Sequence, residues 1–126
     1  MREKPERIVY PLTFVFKREG RLWSALACEI DVASCGRNLA EAREGIKEAV
    51  ELHLSYMLEH GLRDKIANPV PAEAMTEFCE GRGTVKFEYH TAIVDLEQKP
   101  EAPAVSMQFV RSELAPVDCR YAAVAH

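Results

Sequence analysis

An α+β domain is predicted, with three strands running into one long helix and further strands behind it, and three observations predict it. Residues 8–36 hold alternating apolar runs separated by turn residues. Residues 38–61 hold a helix cap, a helical apolar period and a glycine stop, and residues 83–110 return to alternation. At 126 residues the chain fits one domain, which is long enough to bury about two-thirds of its unfolded surface without disulfide or metal staples. A make-up of 48% apolar and 29% charged residues is that of a folded protein rather than a disordered one.

Residues 8–17, I-V-Y-P-L-T-F-V-F-K, are β-branched and aromatic, with Leu12, Phe14 and Phe16 on one face and Thr13, Val15 and Lys17 on the other. This is a strand, and Pro11 places that part of it at an edge or a bulge. Arg18–Arg21 forms the turn, where Gly20 can take positive φ, so that a hairpin follows. The returning strand, Leu22 to Ile30, is apolar on both faces and reads as central: Trp23, Ala25 and Ala27 oppose Leu22, Leu26, Cys28 and Ile30. A third strand, Val32–Cys35, ends in a bend at Gly36.

Asn38 followed by Glu41 is a capping-box pattern and starts the helix at Leu39; Gly61 suits the left-handed position that ends it. Leu39, Ala42, Ile46, Ala49, Val50, His53 and Met57 form the stripe expected to pack on the sheet. Gly45, at the stripe's margin, weakens the helix by up to about 1 kcal/mol relative to alanine and so marks a close approach to a strand or partner. Leu52 and Tyr56 widen the apolar surface on one flank, Leu54 and Leu58 on the other. That is more than three strands can cover, so either the C-terminal half or a partner should meet these four residues, which are the candidate interface.

Residues 62–82 read as a linker around Asn68–Pro71 with a short helix at Ala72–Cys79. Residues 83–110 supply additional strands: one from Thr84, bent near Thr91, in which Val85, Phe87 and Tyr89 oppose Lys86, Glu88 and His90, and one at Ala104–Val110 pairing with it antiparallel. Residues 111–126 carry no strong pattern and are expected to be a flexible tail.

Sixteen Lys and Arg face twenty Asp and Glu, for a net charge of −4 spread over both halves, which argues against direct nucleic-acid binding. No apolar run approaches the roughly twenty residues that span a bilayer, and the charged N-terminus lacks an apolar core, so a cytoplasmic protein is expected. Cys28, Cys35, Cys79 and Cys119 show no C-x-x-C pair and read as reduced thiols.

Four constellations could carry chemistry. His53 and His60 lie seven residues apart near one helix face, but further metal ligands are not indicated, and a buried His53 with a helix-terminal His60 explains them. Glu29 and Asp31, two apart in an extended segment, point the same way and could hold magnesium in a small nuclease or hydrolase. Arg82 between two glycines lacks the lysine and helix of a phosphate loop and reads as a turn. Cys35, near a helix N-terminus, has no base close in sequence. No catalytic motif, cofactor or metal site is therefore expected.

One stretch resembles a known family. W-S-A at 23–25, E-I-D-V-A-S-C-G at 29–36, N-L-A-E-A at 38–42 and K-E-A-V-E-L-H-L at 47–54 resemble the HicB-like antitoxin family over residues 8–61. Gly20, Trp23, Ala25, Ser34, Gly36, Asn38, Glu41, Ala42, Glu48 and Ala49 occupy its recognisable positions. The resemblance implies a partial RNase H-like β-β-β-α-β fold, a homodimer or larger homo-oligomer, and a non-enzymatic antitoxin that covers the active site of a small ribonuclease toxin. Family members also repress their own operon through a C-terminal helix-turn-helix or ribbon-helix-helix. Here the C-terminal half reads as strands and lacks a basic excess, which argues against DNA binding. The expectation is an antitoxin or an orphan relative acting by protein binding; the alternatives are the metal-dependent enzyme using Glu29 and Asp31, or a DNA-binding repressor.

Overall fold

The computed structural model describes residues 5–80, 83–101 and 103–112. Along the chain these form β1 (Glu6–Glu19), β2 (Leu22–Ala27), β3 (Val32–Gly36), α1 (Leu39–Glu59), a 3-10 turn at Arg63–Lys65, α2 (Ala72–Cys79), β4 (Val85–Glu97) and β5 (Ala104–Ser112). The fold is α+β: the strands make one five-stranded antiparallel sheet in the order β3-β2-β1-β4-β5. The expected additional strands thus lengthen the same sheet on the far side of β1.

Strand β1 is central and two residues longer at each end than its apolar run. Pro11 sits inside it, paired with Thr91 of β4, yet β2 reaches only as far as Phe14. The Thr13 amide points to the β2 side, where it donates to the Glu29 carboxylate at 2.7 Å. Residues two apart in a strand direct their amides the same way, so the donor that Pro11 lacks falls beyond the end of β2, where no strand of the described residues faces it.

Strand β2 stops three residues earlier than its composition suggests. Residues 28–31 turn, with Asp31 at φ 51, and the turn carries Ile30 over to the helix side of the sheet, where it joins Ala25 and Ala27. Leu26 and Cys28 face the opposite side. The extended segment expected to run through Glu29 and Asp31 is therefore absent.

Helix α1 begins as its cap predicts, with the Asn38 side chain accepting the Glu41 amide at 2.8 Å. The reciprocal half of the capping box is replaced: Glu41 turns to the Arg37 amide and guanidinium. At the other end Gly61, at φ 68, donates to Leu58 while Leu62 donates to Met57 at 2.8 Å, the paired closure that a left-handed residue permits.

On the helix side, Leu12, Phe14, Phe16, Ile46, Val50 and Leu54 are all fully buried. The buried line of α1 runs Ala42, Ile46, Val50, Leu54, Leu58, and steps of four residues rotate it by about 40° each, so it winds around the helix as α1 crosses the sheet. The expected stripe is right at its start and rotated at its end: His53 and Met57 are only half-buried. A second, smaller core of Val15, Leu26, Cys28, Val70 and Met75 lies on the opposite face of the sheet. The linker closes it, for Asn68 and Val70 donate to the carbonyls of Glu29 and Cys28, and Lys17 donates to the Glu80 carbonyl at the end of α2 at 2.7 Å.

Helix and sheet meet closely at two glycines. A Cβ on Gly45 would stand 2.8 Å from the Ser34 hydroxyl, and one on Gly36 would stand 2.4 Å from the Ala42 backbone nitrogen. A hydroxyl can swing away, whereas a helix backbone cannot without moving α1. Gly36→Ala is therefore expected to destabilise the protein by about 2 kcal/mol or more, and Gly45→Ala by much less, because its contact is offset by up to about 1 kcal/mol of helix propensity. Denaturant unfolding of the two variants checks this, and equal losses would contradict it.

Candidate functional site

The four residues expected at an interface separate into two pairs. Leu54 and Leu58 are 0% and 4% exposed, packed in the main core with Ile66 and Leu96, so they have no surface to offer a partner. The winding of the buried line around α1 accounts for this, and the C-terminal half covers the flank they occupy. Leu52 and Tyr56 remain outside, at 73% and 55% exposure, one turn apart on the solvent side of α1. The Tyr56 ring stacks on His60 with centroids 4.1 Å apart, and His60 Nδ1 lies 2.8 Å from the Tyr56 carbonyl. His60 is thereby held as an extension of the ridge rather than as half of a metal pair with His53.

Charge around this ridge is one-sided. Glu48, Glu51 and Glu59 of α1 are exposed beside it; Glu41 and Glu44, also exposed, are paired with Arg37 and Lys47, and the helix's second base, Arg43, is half-buried toward the sheet. Leu52, Tyr56 and His60 thus form a short apolar ridge on an acidic helix face.

The candidate metal pair does not assemble. Both Glu29 oxygens are engaged by Thr13, Oε1 with its amide and Oε2 with its hydroxyl at 2.9 Å. Burial pushes the Glu29 carboxyl up, against the lowering effect of those two hydrogen bonds. Asp31 is exposed at its positive φ in the turn. Among the described residues no group of three or more His, Cys, Asp or Glu side chains is placed to hold a metal ion. Cys28 is buried with its sulfur 3.6 Å from that of Met75, Cys35 is exposed and Cys79 half-buried; of the tail expected at 111–126, Arg111 and Ser112 belong instead to β5, and the rest, with Cys119 and Arg82, lies outside the described residues. A pocket of about 140 Å³ beside Asp95 and Val105 is smaller than the roughly 300 Å³ or more of ordinary ligand clefts.

One polar cluster was not anticipated from the alternation of β4. Glu88 and His90 face α1 and are 4% and 2% exposed, while Val85, Phe87 and Tyr89 occupy the opposite face, half-buried. Arg43 of α1 forks onto Glu88, Nε to Oε1 at 2.8 Å and a terminal nitrogen to Oε2, with Arg111 of β5 at 3.5 Å. His90 stacks on Phe14 at 4.5 Å and places Nε2 3.0 Å from Glu88. Burial lowers the His90 pKa, so the neutral ring gives its Nε2 proton to Glu88, and Nδ1 is left buried with no hydrogen-bond partner. The signal was parity: Glu88 and His90 share their strand face with Ala92, Val94 and Leu96, an uninterrupted apolar series. An expected bend at Thr91, which the continuous strand lacks, concealed it.

Burial opposes ionisation of Glu88, but Arg43, His90 and Arg111 overcome it and hold its carboxyl at about 2 rather than 4.5. A carboxyl lowered by that much contributes roughly 3 kcal/mol of stability, present above pH 4.5 and lost as pH falls toward 2. Lowered His90 acts in the same direction below its ordinary 6.5, while raised Glu29 acts in the opposite one. The protein is expected to lose stability progressively from about pH 6 down to about pH 2. Glu88→Gln should cost roughly 3 kcal/mol at pH 7 and flatten the acid limb, since it leaves Arg43 without its carboxylate. Urea unfolding across this pH range reads both effects, and an unchanged acid limb in the variant would refute the assignment.

Set beside known proteins, the chain matches no family model, no curated protein and no solved structure.

Proposed function

We propose that this chain is a non-enzymatic HicB-like protein, an antitoxin or an orphan relative, whose work is binding another protein. Its partner on this reading is a small basic ribonuclease. The observation that supports it best is the face of α1: two large apolar side chains exposed one turn apart, with the exposed carboxylates of Glu48, Glu51 and Glu59 beside them. An apolar anchor within a field of one sign is suited to a partner of the opposite sign, because the field speeds encounter and the desolvated anchor carries the affinity.

The order β1-β2-β3-α1 agrees with the β-β-β-α part of a HicB-like, partial RNase H-like fold, and the resemblance of residues 8–61 supplies the rest of this reading. Of the helix-turn-helix or ribbon-helix-helix that repressors of that family carry, the described residues 83–112 hold no counterpart, being two strands. Nothing in the geometry favours the metal-dependent enzyme, whose Glu29 is engaged by Thr13. No helix among the described residues is long and apolar enough to cross a membrane, and we place the protein in the cytoplasm as part of the same proposal.

The neighbouring reading frame provides the test. A basic chain of about 60–80 residues, the size of one small domain, should co-purify with this protein and lose ribonuclease activity when bound. Leu52→Ala with Tyr56→Ala should weaken that complex at least about 30-fold, as truncation of two central anchors does, without lowering the thermal stability of the free chain. Undiminished binding by the double variant would move the interface elsewhere, and the absence of any partner would remove the antitoxin reading.

A further inference from the structure

We infer that β5 is a self-association edge, along which two copies of this chain pair antiparallel about a two-fold axis at Gln108 to join their sheets. The inference rests on the sheet alone and stands whether or not the chain is an antitoxin.

Two strands end the sheet. β3 has five residues, and α1 lies close over it where Gly45 meets Ser34 and Cys35. β5 has nine residues, and among the described residues no strand pairs with its outer side. Long strand edges are ordinarily guarded by lysines, inward charges or prolines. Ala104–Val110 contains none of these; the first charge of β5 is Arg111.

The side chains fit their own copy. With Gln108 opposite Gln108, Met107 meets Phe109 of the second copy, Ser106 meets Val110, and Val105 meets Arg111. Val105, Met107 and Phe109 already lean on the main core on the α1 side of the sheet, half-buried, so pairing would complete the cover of residues that one chain covers only in part. On the opposite face Gln108, exposed at the centre, carries both donor and acceptor and bonds its symmetry mate reciprocally. No like charges meet: the two Arg111 side chains stand about 20 Å apart along the seam, each with its aliphatic stem against a valine. A seam of this length buries on the order of 1,000 Å², at the small end of specific interfaces. Self-association is therefore expected at micromolar concentration rather than as an obligate dimer.

The test uses charge at positions that leave the monomer's core alone. Ser106, Gln108 and Val110 are exposed; one triple variant replaces all three with Lys, a second replaces them with Glu. Light scattering of the unmodified chain should show a concentration-dependent dimer. Each triple variant alone should be monomeric, with at least a tenfold loss of association, and an equimolar mixture should recover a heterodimer, which also shows that both variants are folded. Hydrogen exchange of the unmodified chain should slow at β5 amides as concentration rises. A wild-type chain that stays monomeric, triple variants that dimerise as it does, a mixture that does not associate, or a dimer lost instead through Leu52→Ala and Tyr56→Ala would each overturn the inference.

Discussion

The pairing of β1 with β4 is the constraint on which the rest of the structure depends. Twelve residue pairs, from Glu6 with Leu96 to Lys17 with Val85, join segments that lie far apart in sequence. Bringing such distant segments together costs loop-closure entropy, so the contact has to be extensive. Through it β4 and β5 extend the sheet beneath α1, Leu54 and Leu58 find cover, and the register fixes which face of β4 is buried. Because side chains alternate, placing Ala92, Val94 and Leu96 under the helix places His90 and Glu88 there as well. Arg43 then becomes necessary, since a carboxylate buried against Phe14 and α1 without a cation would cost more than the strand could supply.

Elements whose causes are local were legible in the sequence. The Asn38 cap, the glycine stop at 61, the β1–β2 hairpin and α2 all follow from a few adjacent residues, and each lies where those residues put it. What was not legible depends on partners distant in sequence. The early end of β2 reflects Glu29 folding back onto Thr13 in place of a further strand residue. The rotated stripe of α1 reflects the angle at which the helix crosses a five-stranded sheet, and only three of those strands precede it. The burial of Glu88 and His90 needed the parity of β4 to be carried through Thr91. The candidate site divided along the same line: Leu52 and Tyr56 are exposed because nothing among the described residues covers them, while Leu54 and Leu58 join the main core, where α1 meets β5 and the 3-10 turn.

Two polar arrangements near the core look chemical and are better explained by packing. Glu29 supplies Thr13 with hydrogen-bond partners where β2 has ended, which gives the carboxylate a structural role and leaves it with both oxygens engaged. Glu88 and Arg43 tie α1 to β4 at a point where, His90 apart, the helix-side core is apolar. A buried ion pair of this kind is weak evidence for added stability over a hydrophobic pair, but removing one partner is costly. It therefore fixes how α1 lies on the sheet more than it strengthens the protein. The unpartnered Nδ1 of His90 fits the same account, because the ring is retained for its stacking on Phe14 and its donation to Glu88.

The two proposed surfaces differ in a way that lets them operate together. The ridge at Leu52 and Tyr56 sits on the side of α1 turned away from the sheet, among carboxylates. The edge of β5 lies along the sheet's margin and is neutral from Ala104 to Val110. A basic partner is drawn to the first by charge and has little reason to prefer the second; a second copy, net negative itself, is repelled by the first and meets no charge penalty at the second. On the two proposals, charge would favour a second copy at the edge and a basic protein at the helix. If both proposals hold, a dimer paired through β5 would offer one Leu52–Tyr56 ridge on each copy, and occupation of the edge would not by itself consume either ridge.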